Sequence, residues 1–409
     1  MIILRNVIIA GFLRTAISRA RPAKPETDLF NKTRMDECAA ALARELLKRH
    51  NLEPQEVDRC IIGCANQTGE QWLYGGRAVS LLADLPYTTP AMAVDVQCGS
   101  SMSAVHLGAM EISLGYSDLV LAGGLEHMTH VPMRHGTRPN SKLLGKNRFD
   151  PGKIGKTAAE MYDPQTGRHL LPSMGDTAEL LAAEGGFTRE ELDRWSERSH
   201  LRAARALEEG FFSPEILPFT VMGEDDVSMV IDRDQSVRPD TTYEKIASLP
   251  PAFREDGLIT AGNSSPLNSG AAMLLLMSEE KAGIAGIEPL ASIVSLGWGG
   301  VDPLLMGKGP LPASRMALGR AGLTVEDIDF WEINEAFAVV PLWNIKEMGL
   351  DPEKVNVKGG AIALGHPLGM TGARLVGTLA RILAAEKGTY GIAAICIGGG
   401  QGLATLIKR

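Results

Sequence analysis

The chain lacks the features that mark membrane, secreted and nucleic-acid-binding proteins. Its 409 residues contain only five cysteines, an odd number without the spacing of a disulfide framework or a zinc site. No uninterrupted apolar run reaches the roughly 18 residues of a membrane span. The net charge is -8, and no stripe of Lys and Arg interleaved with aromatic residues indicates a nucleic-acid or anionic-membrane surface. We therefore expect a globular protein of a reducing, cytoplasmic compartment whose partners are small molecules.

The apolar content is sufficient for more than one hydrophobic core. Hydrophobic residues make up 44% of the chain, and the length predicts two or three domains. Near the N-terminus, the apolar run from Val7 to Leu13 is bracketed by Arg5 and Arg14. Because this run is short for a signal peptide, we interpret it as the first β-strand.

Two segments of the chain look like copies of one unit. Each starts with an amphipathic helix, at "MDECAAALARELLKRH" and at "PASRMALGRAG", and continues through a loop into a short apolar strand. In register, residues 56–58 (EVD) match residues 327–329 (DID), and some 40 residues later each copy has a strand, a small-residue turn and a helix. The first turn carries Cys98 and the second carries His366. The pattern predicts an internal duplication of an α/β unit, with chance similarity of two ordinary α/β stretches as the alternative.

The composition changes between the copies. Residues 134–168 hold eight Lys and Arg against three Asp and Glu, with little periodicity. This pattern predicts loops and short helices rather than sheet. In an acidic protein, such a segment is a candidate for holding an anionic ligand or for subunit contact, with a solvated loop as the alternative.

Cys98, in "DVQCGSSMSA", lies between an apparent strand and an apparent helix. The helix is predicted from apolar positions that share one face: Met102, Val105, Ala109 and Ile112. A sulfur near a helix N-terminus is favoured as the thiolate by unpaired N–H groups and the positive end of the macrodipole. Cys98 is therefore a candidate nucleophile. A buried structural cysteine remains the alternative, since small residues after a strand also serve helix–sheet packing.

A nucleophilic cysteine needs a base, and the chain offers two histidines for comparison. His106 lies eight residues further along the predicted helix, about 12 Å of rise, and is interpreted as a packed or capping residue. His366, in "GGAIALGHPLGMTGAR", lies at the equivalent turn of the second copy. Packing of the two related halves would bring the turns together at a pseudo-twofold axis. His366 is therefore the candidate base.

Two further segments of the second copy carry polar groups. Cys396, in "ICIGGGQG", lies at a strand end before three glycines. Such a cysteine can act as a second acid/base and the glycine N–H groups can form an oxyanion hole, with a tight turn as the structural alternative. "WEINEAFAVV" adds Asn334 and Glu335 at the end of another strand, so these groups are expected to converge at one side of the sheet.

The segments "CGSSMSA", "NEAF", "GGAIALGHPLG" and "CIGGGQG", in this order and spacing, resemble the thiolase family over essentially the whole chain. The resemblance implies a five-layered α-β-α-β-α fold of the α/β class, made of two duplicated core domains and an inserted loop domain. The implied N-terminal core comprises residues 1–130 with 269–289, the loop domain 131–268 with coenzyme A and oligomer contacts, and the C-terminal core 290–409.

The resemblance also implies roles for individual residues. Cys98 would be the acyl-accepting nucleophile, and Cys396 the acid/base for the proton at the substrate α-carbon. His366 would activate Cys98 and, with a water held by Asn334, stabilise the thioester oxyanion, while the N–H groups of Cys98 and Gly398 would form a second oxyanion hole. Residues implied to contact coenzyme A, line the pantetheine tunnel or border the acyl pocket are Arg238, Ser265, Phe253, Ala261, Met174, Met306 and Phe337.

The implied activity is that of a degradative 3-ketoacyl-CoA thiolase of fatty-acid β-oxidation, an acyltransferase. It would use coenzyme A as a substrate, need no metal or redox cofactor, and form a homodimer or homotetramer, with membership of a fatty-acid oxidation complex a further option. "GGLEHMTHVPMRHG" favours this subtype. Ser173 replaces a histidine often present in biosynthetic members, the insert between Met133 and Ser173 is somewhat longer than usual, and "RTAISRAR" departs from the usual turn.

Three alternatives to this activity stay open at this point. The nearest is a biosynthetic acetyl-CoA C-acetyltransferase that acts on acetoacetyl-CoA. A non-catalytic thiolase-like protein that binds acyl-CoA or lipid is another, although Cys98, Asn334, His366 and Cys396 are all present. A cysteine hydrolase is the third, and it would release the acyl group to water rather than to coenzyme A.

Overall fold

The computed structural model describes residues 4–133, 135–136, 173–223 and 227–409, together with the backbone of residues 162–163 and 168–169. Within these ranges, none of the helices has the length and apolar character needed to cross a membrane. The strands are β1 (Val7–Arg14), β2 (Ser18–Arg19), β3 (Arg59–Gly63), β4 (Ala91–Val94), β5 (Leu119–His127), β6 (Tyr162–Asp163), β7 (Arg168–His169), β8 (Phe219–Met222), β9 (Ser228–Ile231), β10 (Asn268–Ser278), β11 (Ala291–Gly300), β12 (Phe330–Ile333), β13 (Tyr390–Ile397) and β14 (Gln401–Lys408). The helices are α1 (Met35–Arg49), α2 (Arg77–Leu82), α3 (Ser100–Ser113), α4 (Met174–Gly185), α5 (Arg189–Glu208), α6 (Tyr243–Ala247), α7 (Glu279–Ala285), α8 (Pro310–Ala321), α9 (Val339–Met348), α10 (Ala361–Leu364) and α11 (Leu368–Ala385).

The main sheet consists of two halves with the same pairing pattern. In the first half, β3 is parallel to β4 and β5, β5 is antiparallel to β10, and β10 is antiparallel to β1. In the second half, the equivalent strands pair in the same order: β12, β13, β14 and β11 correspond to β3, β5, β10 and β1, respectively. In place of β4, the second half has a single parallel bridge from Trp331 to Val355. Antiparallel pairing of β1 with β11 joins the halves.

The register predicted for the two copies is confirmed by matching hydrogen bonds. Asp58, just before β3, accepts the backbone N–H groups of two residues at the start of β5 at 2.7 and 3.0 Å. Asp329, just before β12, accepts those of two residues at the start of β13 at 2.7 and 3.1 Å. Asp58 and Asp329 thus occupy equivalent positions, and each holds the equivalent pair of strands together in its own half.

The strands separate three apolar cores, because successive side chains of a strand point to opposite faces. In β10, Met273 faces an outer core shared with α1, whereas Leu274 faces the central core that contains residues of α3 and α11. In β13, Ile392 faces a second outer core shared with α4, α8 and α9, whereas Ile395 faces the central core. Helices therefore lie outside and between the two halves of the sheet, which gives the five layers of alternating helix and sheet.

The local structure agrees with the sequence patterns at the N-terminus and after Cys98, but not at the end of residues 134–168. The N-terminal apolar run is strand β1, as predicted, and the apolar face predicted for the helix after Cys98 is buried in α3. Most of residues 134–168 lies outside the described residues. The prediction that this segment has no sheet is wrong at its end, where β6 and β7 form an antiparallel pair. Such a short local pair needs no extended alternating pattern, so periodicity did not indicate it.

Candidate active site

The first turns of α3 and α11 lie side by side in the central layer. The backbone N–H of Ala373 donates to Ser101 Oγ at 2.9 Å. A Cβ added at Gly372 would lie 2.4 Å from a backbone nitrogen of α3, so only glycine permits this approach. Cys98 precedes α3 by two residues and His366 precedes α11 by two. The two halves therefore present Cys98 and His366 at the ends of adjacent helices.

Cys98 is held in the turn that connects β4 with α3. Gln97 has a φ of 46°, in the left-handed region that few non-glycine residues adopt. Cys98 is half-buried, whereas the other four cysteines of the chain are buried. Burial raises the pKa of the Cys98 thiol to about 11, and hydrogen bonds from the backbone of Gly398 and of Cys98 itself oppose this rise. We expected the helix N-terminus to favour the thiolate, but burial outweighs it, so the thiol needs a base.

His366 is buried and its tautomer is set by hydrogen bonds. The hydroxyl of Thr371 donates to the carbonyl of Pro367 at 2.7 Å and lies 2.7 Å from His366 Nδ1. Because this hydroxyl has one hydrogen, it accepts from Nδ1–H, and Nε2 keeps its lone pair. Burial, and then the charge of Arg374, lower the pKa of His366 to about 3. His366 is therefore neutral near pH 7, with Nε2 available as a base.

Asn334 completes this polar group from the end of β12. Its Nδ2 lies 3.4 Å from His366 Nε2, and its Oδ1 has no hydrogen-bond partner among the described residues although it is buried. Buried polar atoms without a hydrogen-bond partner are uncommon, and this one belongs to a side chain that lies next to the candidate base His366. This arrangement is suited to holding a water or a substrate oxygen.

Glu335 fixes the backbone that carries Asn334. Its carboxylate is fully buried and accepts four hydrogen bonds. The donors, at 2.7–3.2 Å, are Trp195 Nε1, Ser199 Oγ, Asn356 Nδ2 and the backbone N–H of Ile362. Two of these donors lie in α5, and Ile362 lies in α10, just before His366. Glu335 thus ties three segments of the chain together around the site.

Cys396 and Gly398 approach Cys98 from the second half. Cys396 is buried in β13 opposite Gly402 of β14. Burial raises the pKa of the Cys396 thiol, and the nearby charge of Cys98 raises it further. The turn between β13 and β14 contains two glycines with φ of 91° and 83°, which explains why this connection is rich in glycine. The structure therefore brings the two predicted catalytic sulfurs together.

The three residues implied to border the acyl pocket lie in one apolar cluster with Cys396. Met306 and Phe337 are buried in this cluster, and Met174 packs against it. A Cβ added at Gly398 would lie 3.2 Å from the sulfur of Met174. Met174 is therefore close to the backbone that donates to Cys98.

Residues implied to bind coenzyme A lie on the surface that continues from this cluster. The ring of Phe253 is 6.0 Å from that of Phe337 in an edge-to-face contact, and Phe253 is 42% exposed. The backbone N–H of Ser265 donates to the carbonyl of Ala336 at 3.0 Å, and Ala261 is exposed four residues earlier.

Arg238 lies on another exposed segment, where its backbone N–H donates to His200 Nδ1 at 3.3 Å. Burial, and then the charge of Arg238, lower the pKa of Arg19, so the two guanidinium groups are neighbours. Paired arginines of this kind form a cationic surface suited to phosphate groups. The described side chains, however, give Arg238 no direct contact with Cys98.

Glu70, His127 and His130 form a titratable cluster outside this site. The rings of His127 and His130 stack at 3.8 Å with an angle of 10° between their planes. A metal ion lies in the plane of each imidazole that binds it, so two stacked rings cannot both direct a lone pair at one ion. His130 Nδ1 also lies 2.8 Å from Glu70 Oε1. We interpret the cluster as a hydrogen-bonded network of the fold.

Some residues of the site were missed by sequence reasoning. Thr371, which orients His366, lies about one turn along α11, so helical spacing from His366 could have indicated it. Asn268 accepts the backbone N–H of His366 at 2.8 Å and is 98 residues away in the chain. No local pattern could have indicated this contact.

The five-layered fold and the paired cysteines with His366 define a thiolase, and the chain belongs to the thiolase family. Residues 7–280 match the model of the thiolase N-terminal domain, and residues 287–409 match that of the thiolase C-terminal domain. The chain is 43% identical over 410 residues to the 3-ketoacyl-CoA thiolases of Marinobacter nauticus and Hahella chejuensis, covering 99% of this chain and 98% of each relative. The resemblance inferred from the four motifs is confirmed.

Comparison with solved structures also supports membership of the thiolase family. The Bacillus anthracis acetyl-CoA acetyltransferase is 39% identical, with a TM-score of 0.86 and complete coverage of both chains. Human mitochondrial 3-ketoacyl-CoA thiolase in complex with CoA is 33% identical, with a TM-score of 0.85 over 100% of this chain and 99% of that one. The predicted fold class is confirmed.

Proposed function

We propose that the chain is a 3-ketoacyl-CoA thiolase that transfers an acyl group to coenzyme A through a thioester on Cys98. The observation that carries this proposal is the arrangement at the contact between the halves. There, Cys98 and His366 precede the adjacent helices α3 and α11 by two residues, and the backbone of Gly398, two residues after Cys396, donates to Cys98. The substrate class comes from relatives that are 43% identical over nearly their full length and are named for this activity.

In the first step, His366 Nε2 takes the thiol proton of Cys98, and the thiolate attacks the ketone carbon of the 3-ketoacyl-CoA. The bond between the α-carbon and the ketone carbon then breaks, and the acyl group stays on Cys98. The leaving group is the enolate of acetyl-CoA. Its α-carbon takes the proton of Cys396, whose raised pKa keeps that thiol protonated in the resting site.

In the second step, Cys396 as thiolate takes the thiol proton of a free coenzyme A. The resulting thiolate attacks the thioester, releases the shortened acyl-CoA and returns Cys98 as a thiolate, which recovers its proton from His366. Atoms and electrons balance over this ping-pong cycle without another reactant.

Each step develops negative charge on an oxygen, which requires hydrogen-bond donors placed in advance. We propose that the backbone N–H groups of Cys98 and Gly398 donate hydrogen bonds to the ketone oxygen. His366, once protonated, and a water held by Asn334 would donate to the thioester oxygen of the enolate. The hydrogen bond from Gly398 to the Cys98 sulfur supports the first assignment, and the unpaired Oδ1 of Asn334 supports the second.

The substrate would contact the apolar cluster around Cys396 through its acyl chain and the exposed segments beside that cluster through its coenzyme A portion. Met174, Met306 and Phe337 would border the acyl chain, since they share one apolar cluster with Cys396. Phe253 and Ala261 would flank the pantetheine arm, Ser265 would contact coenzyme A, and Arg238 would contact its phosphates.

We also propose that the chain works as a homodimer or homotetramer in the cytoplasm, in β-oxidation, with a second subunit of an oxidation complex as a further option. The outer side of β4 has no partner strand among the described residues, and its residues Ala91–Val94 are partly exposed. An unpaired apolar edge strand is usually covered. Five free cysteines fit a reducing compartment. The domain boundaries at 130, 268 and 289 stay predictions.

A biosynthetic acetyl-CoA C-acetyltransferase is the second candidate. The observation in its favour is the 39% identity to the Bacillus anthracis acetyl-CoA acetyltransferase. Ser173, one of the departures found in the sequence, has a local structural role. It is the N-cap of α4, and its hydroxyl and backbone N–H contact the carboxylate of Asp176 in a capping box.

The test compares coenzyme A-dependent cleavage of acetoacetyl-CoA and of 3-ketohexadecanoyl-CoA by the purified chain. Faster cleavage of the long chain supports the degradative activity, whereas cleavage of acetoacetyl-CoA alone favours the biosynthetic one. Cys98→Ala should abolish both, and Cys38→Ala, which changes a buried cysteine of α1, serves as the matched control. Turnover by Cys98→Ala would contradict the mechanism. Acyl release to water without coenzyme A would indicate a hydrolase, and acyl-CoA binding without turnover a non-catalytic protein.

A further inference from the structure

Glu126, near the end of β5, is a buried carboxylate that the mechanism above does not use. It is 1% exposed. Its Oε2 accepts the backbone N–H groups of Ala65 and Gly369, both at 2.9 Å. Its Oε1 accepts the amide Nε2 of Gln71 at 2.7 Å. Burial raises the pKa of Glu126, and the hydrogen bonds from Ala65, Gln71 and Gly369 oppose this rise. These bonds satisfy both oxygens and hold the carboxyl group in one orientation.

The bonds of Glu126 connect the two halves next to the candidate active site. Ala65 follows β3 in the first half, whereas Gly369 lies in the first turn of α11, three residues after His366. A Cβ added at Gly369 would lie 2.3 Å from a backbone oxygen of β5, so the two backbones are in direct contact. A negative charge at a helix N-terminus is also favoured by the helix dipole. Glu126 therefore fixes the start of α11, and with it the turn of His366, on the first half.

The charge of Glu126 also acts on Cys98. Burial is the main cause of the raised pKa of the Cys98 thiol, and the charge of Glu126 adds a smaller contribution in the same direction. One side chain thus contacts the helix that begins beside the base and influences the nucleophile electrostatically.

We propose that Glu126 is a positioning residue for acyl transfer, which holds the turn of His366 against the first half so that Nε2 reaches the Cys98 thiol. The inference rests on the proposed function and names a residue on which that function depends. A displacement of about 1 Å in a reacting group can cost roughly a hundredfold in rate. A side chain that sets the distance between two halves of a site therefore acts on kcat.

Two variants distinguish the effect of the side-chain length of Glu126 from the effect of its charge. Glu126→Asp keeps the charge but is one methylene shorter, so it cannot hold both Ala65 and Gly369. We expect its kcat to fall roughly 10- to 100-fold while KM for the 3-ketoacyl-CoA changes less than about threefold. Glu126→Gln keeps the length and removes the charge. Its amide oxygen can still accept from Ala65 and Gly369, while its NH2 group faces Gln71 Nε2 and that bond is lost. We expect the iodoacetamide alkylation of Cys98, followed by peptide mass spectrometry against pH, to shift to lower pH in this variant.

Asp36→Asn is the matched control. Asp36 is a buried carboxylate in the first turn of α1, where it accepts a backbone N–H at 2.9 Å, and it lies in the outer layer. We expect this variant to lose stability but to keep the parental kcat and alkylation profile.

The inference is overturned if Glu126→Asp keeps the parental kcat, if Glu126→Gln leaves the alkylation profile of Cys98 unchanged, or if Asp36→Asn lowers kcat equally. An inactive parent chain would instead refute the proposed function, and the alkylation profiles would still report on Glu126 and Cys98. Should Glu126→Gln fail to fold, Glu126→Asp alone decides the inference.

Discussion

Glu335 should be among the most sensitive positions outside the candidate catalytic residues. Its buried carboxylate accepts hydrogen bonds from Trp195, Ser199, Asn356 and Ile362. In Glu335→Ala, the hydroxyl of Ser199 can turn to another partner, and Asn356 Nδ2 keeps its bond to the carbonyl of Ile333 at 2.9 Å. Trp195 Nε1 and the backbone N–H of Ile362 stay buried and unpaired. Each of these two unpaired donors costs about 1–3 kcal/mol, so the free energy of unfolding should fall by roughly 2–6 kcal/mol.

Glu335→Gln should cost much less, which makes the pair of variants informative. The amide oxygen can accept from Trp195 and Asn356, and the amide NH2 can donate to Ser199, whose hydroxyl also accepts from the backbone N–H of Gly360 at 3.0 Å. Only the N–H of Ile362 then faces another donor. The expected loss is therefore about 1–3 kcal/mol.

The relative stability of the parent and the two variants can be measured by urea unfolding, monitored by tryptophan fluorescence. We expect the midpoint to fall slightly for Glu335→Gln and strongly for Glu335→Ala, with the latter near the limit of stability for a domain. Equal losses in the two variants, or a loss below about 1 kcal/mol in Glu335→Ala, would refute the reasoning that these four bonds hold the segment of Asn334.

Cys396→Ala should still accept an acyl group on Cys98 from acyl-CoA but should not cleave 3-ketoacyl-CoA, because the enolate has lost its proton donor; retention of cleavage in a stopped-assay comparison would refute this role. Gly369→Ala should lower the urea midpoint by the equivalent of about 1–3 kcal/mol through overpacking, whereas Gly283→Ala, with no atom within 4 Å of the added Cβ, should not; equal midpoints would contradict the contact. Since burial lowers the pKa of His366 to about 3 from 6.5, its base form persists as pH falls below 6.5, and kcat/KM should show no loss centred there; an acid limb at 6.5 would argue against it.

The main elements of the fold could be predicted from the sequence because they depend on local patterns. The repeated EVD and DID segments identified the duplication, and the structure places Asp58 and Asp329 in the same hydrogen-bonded position. Likewise, the small-residue turns before α3 and α11 indicated where Cys98 and His366 would meet. Each of these signals is a short run of residues that can be recognised without knowledge of the packing.

The supports of the site could not be predicted in the same way. Glu126 and Gly369 are 243 residues apart, and Glu335 and Trp195 are 140 apart. Such partners are brought together only by the packing of complete layers. The pKa of Cys98 was also expected in the wrong direction, because the dipole of α3 is a local property whereas burial depends on both halves.

In the proposed mechanism, Cys98 carries the acyl group between two coenzyme A molecules. The most direct test incubates the purified chain with acyl-CoA without free coenzyme A, quenches in acid and locates the adduct by peptide mass spectrometry. We predict one acyl group on Cys98, lost when coenzyme A is added and stable in buffer alone. An adduct on another cysteine, or no adduct in a folded chain, would contradict this role of Cys98.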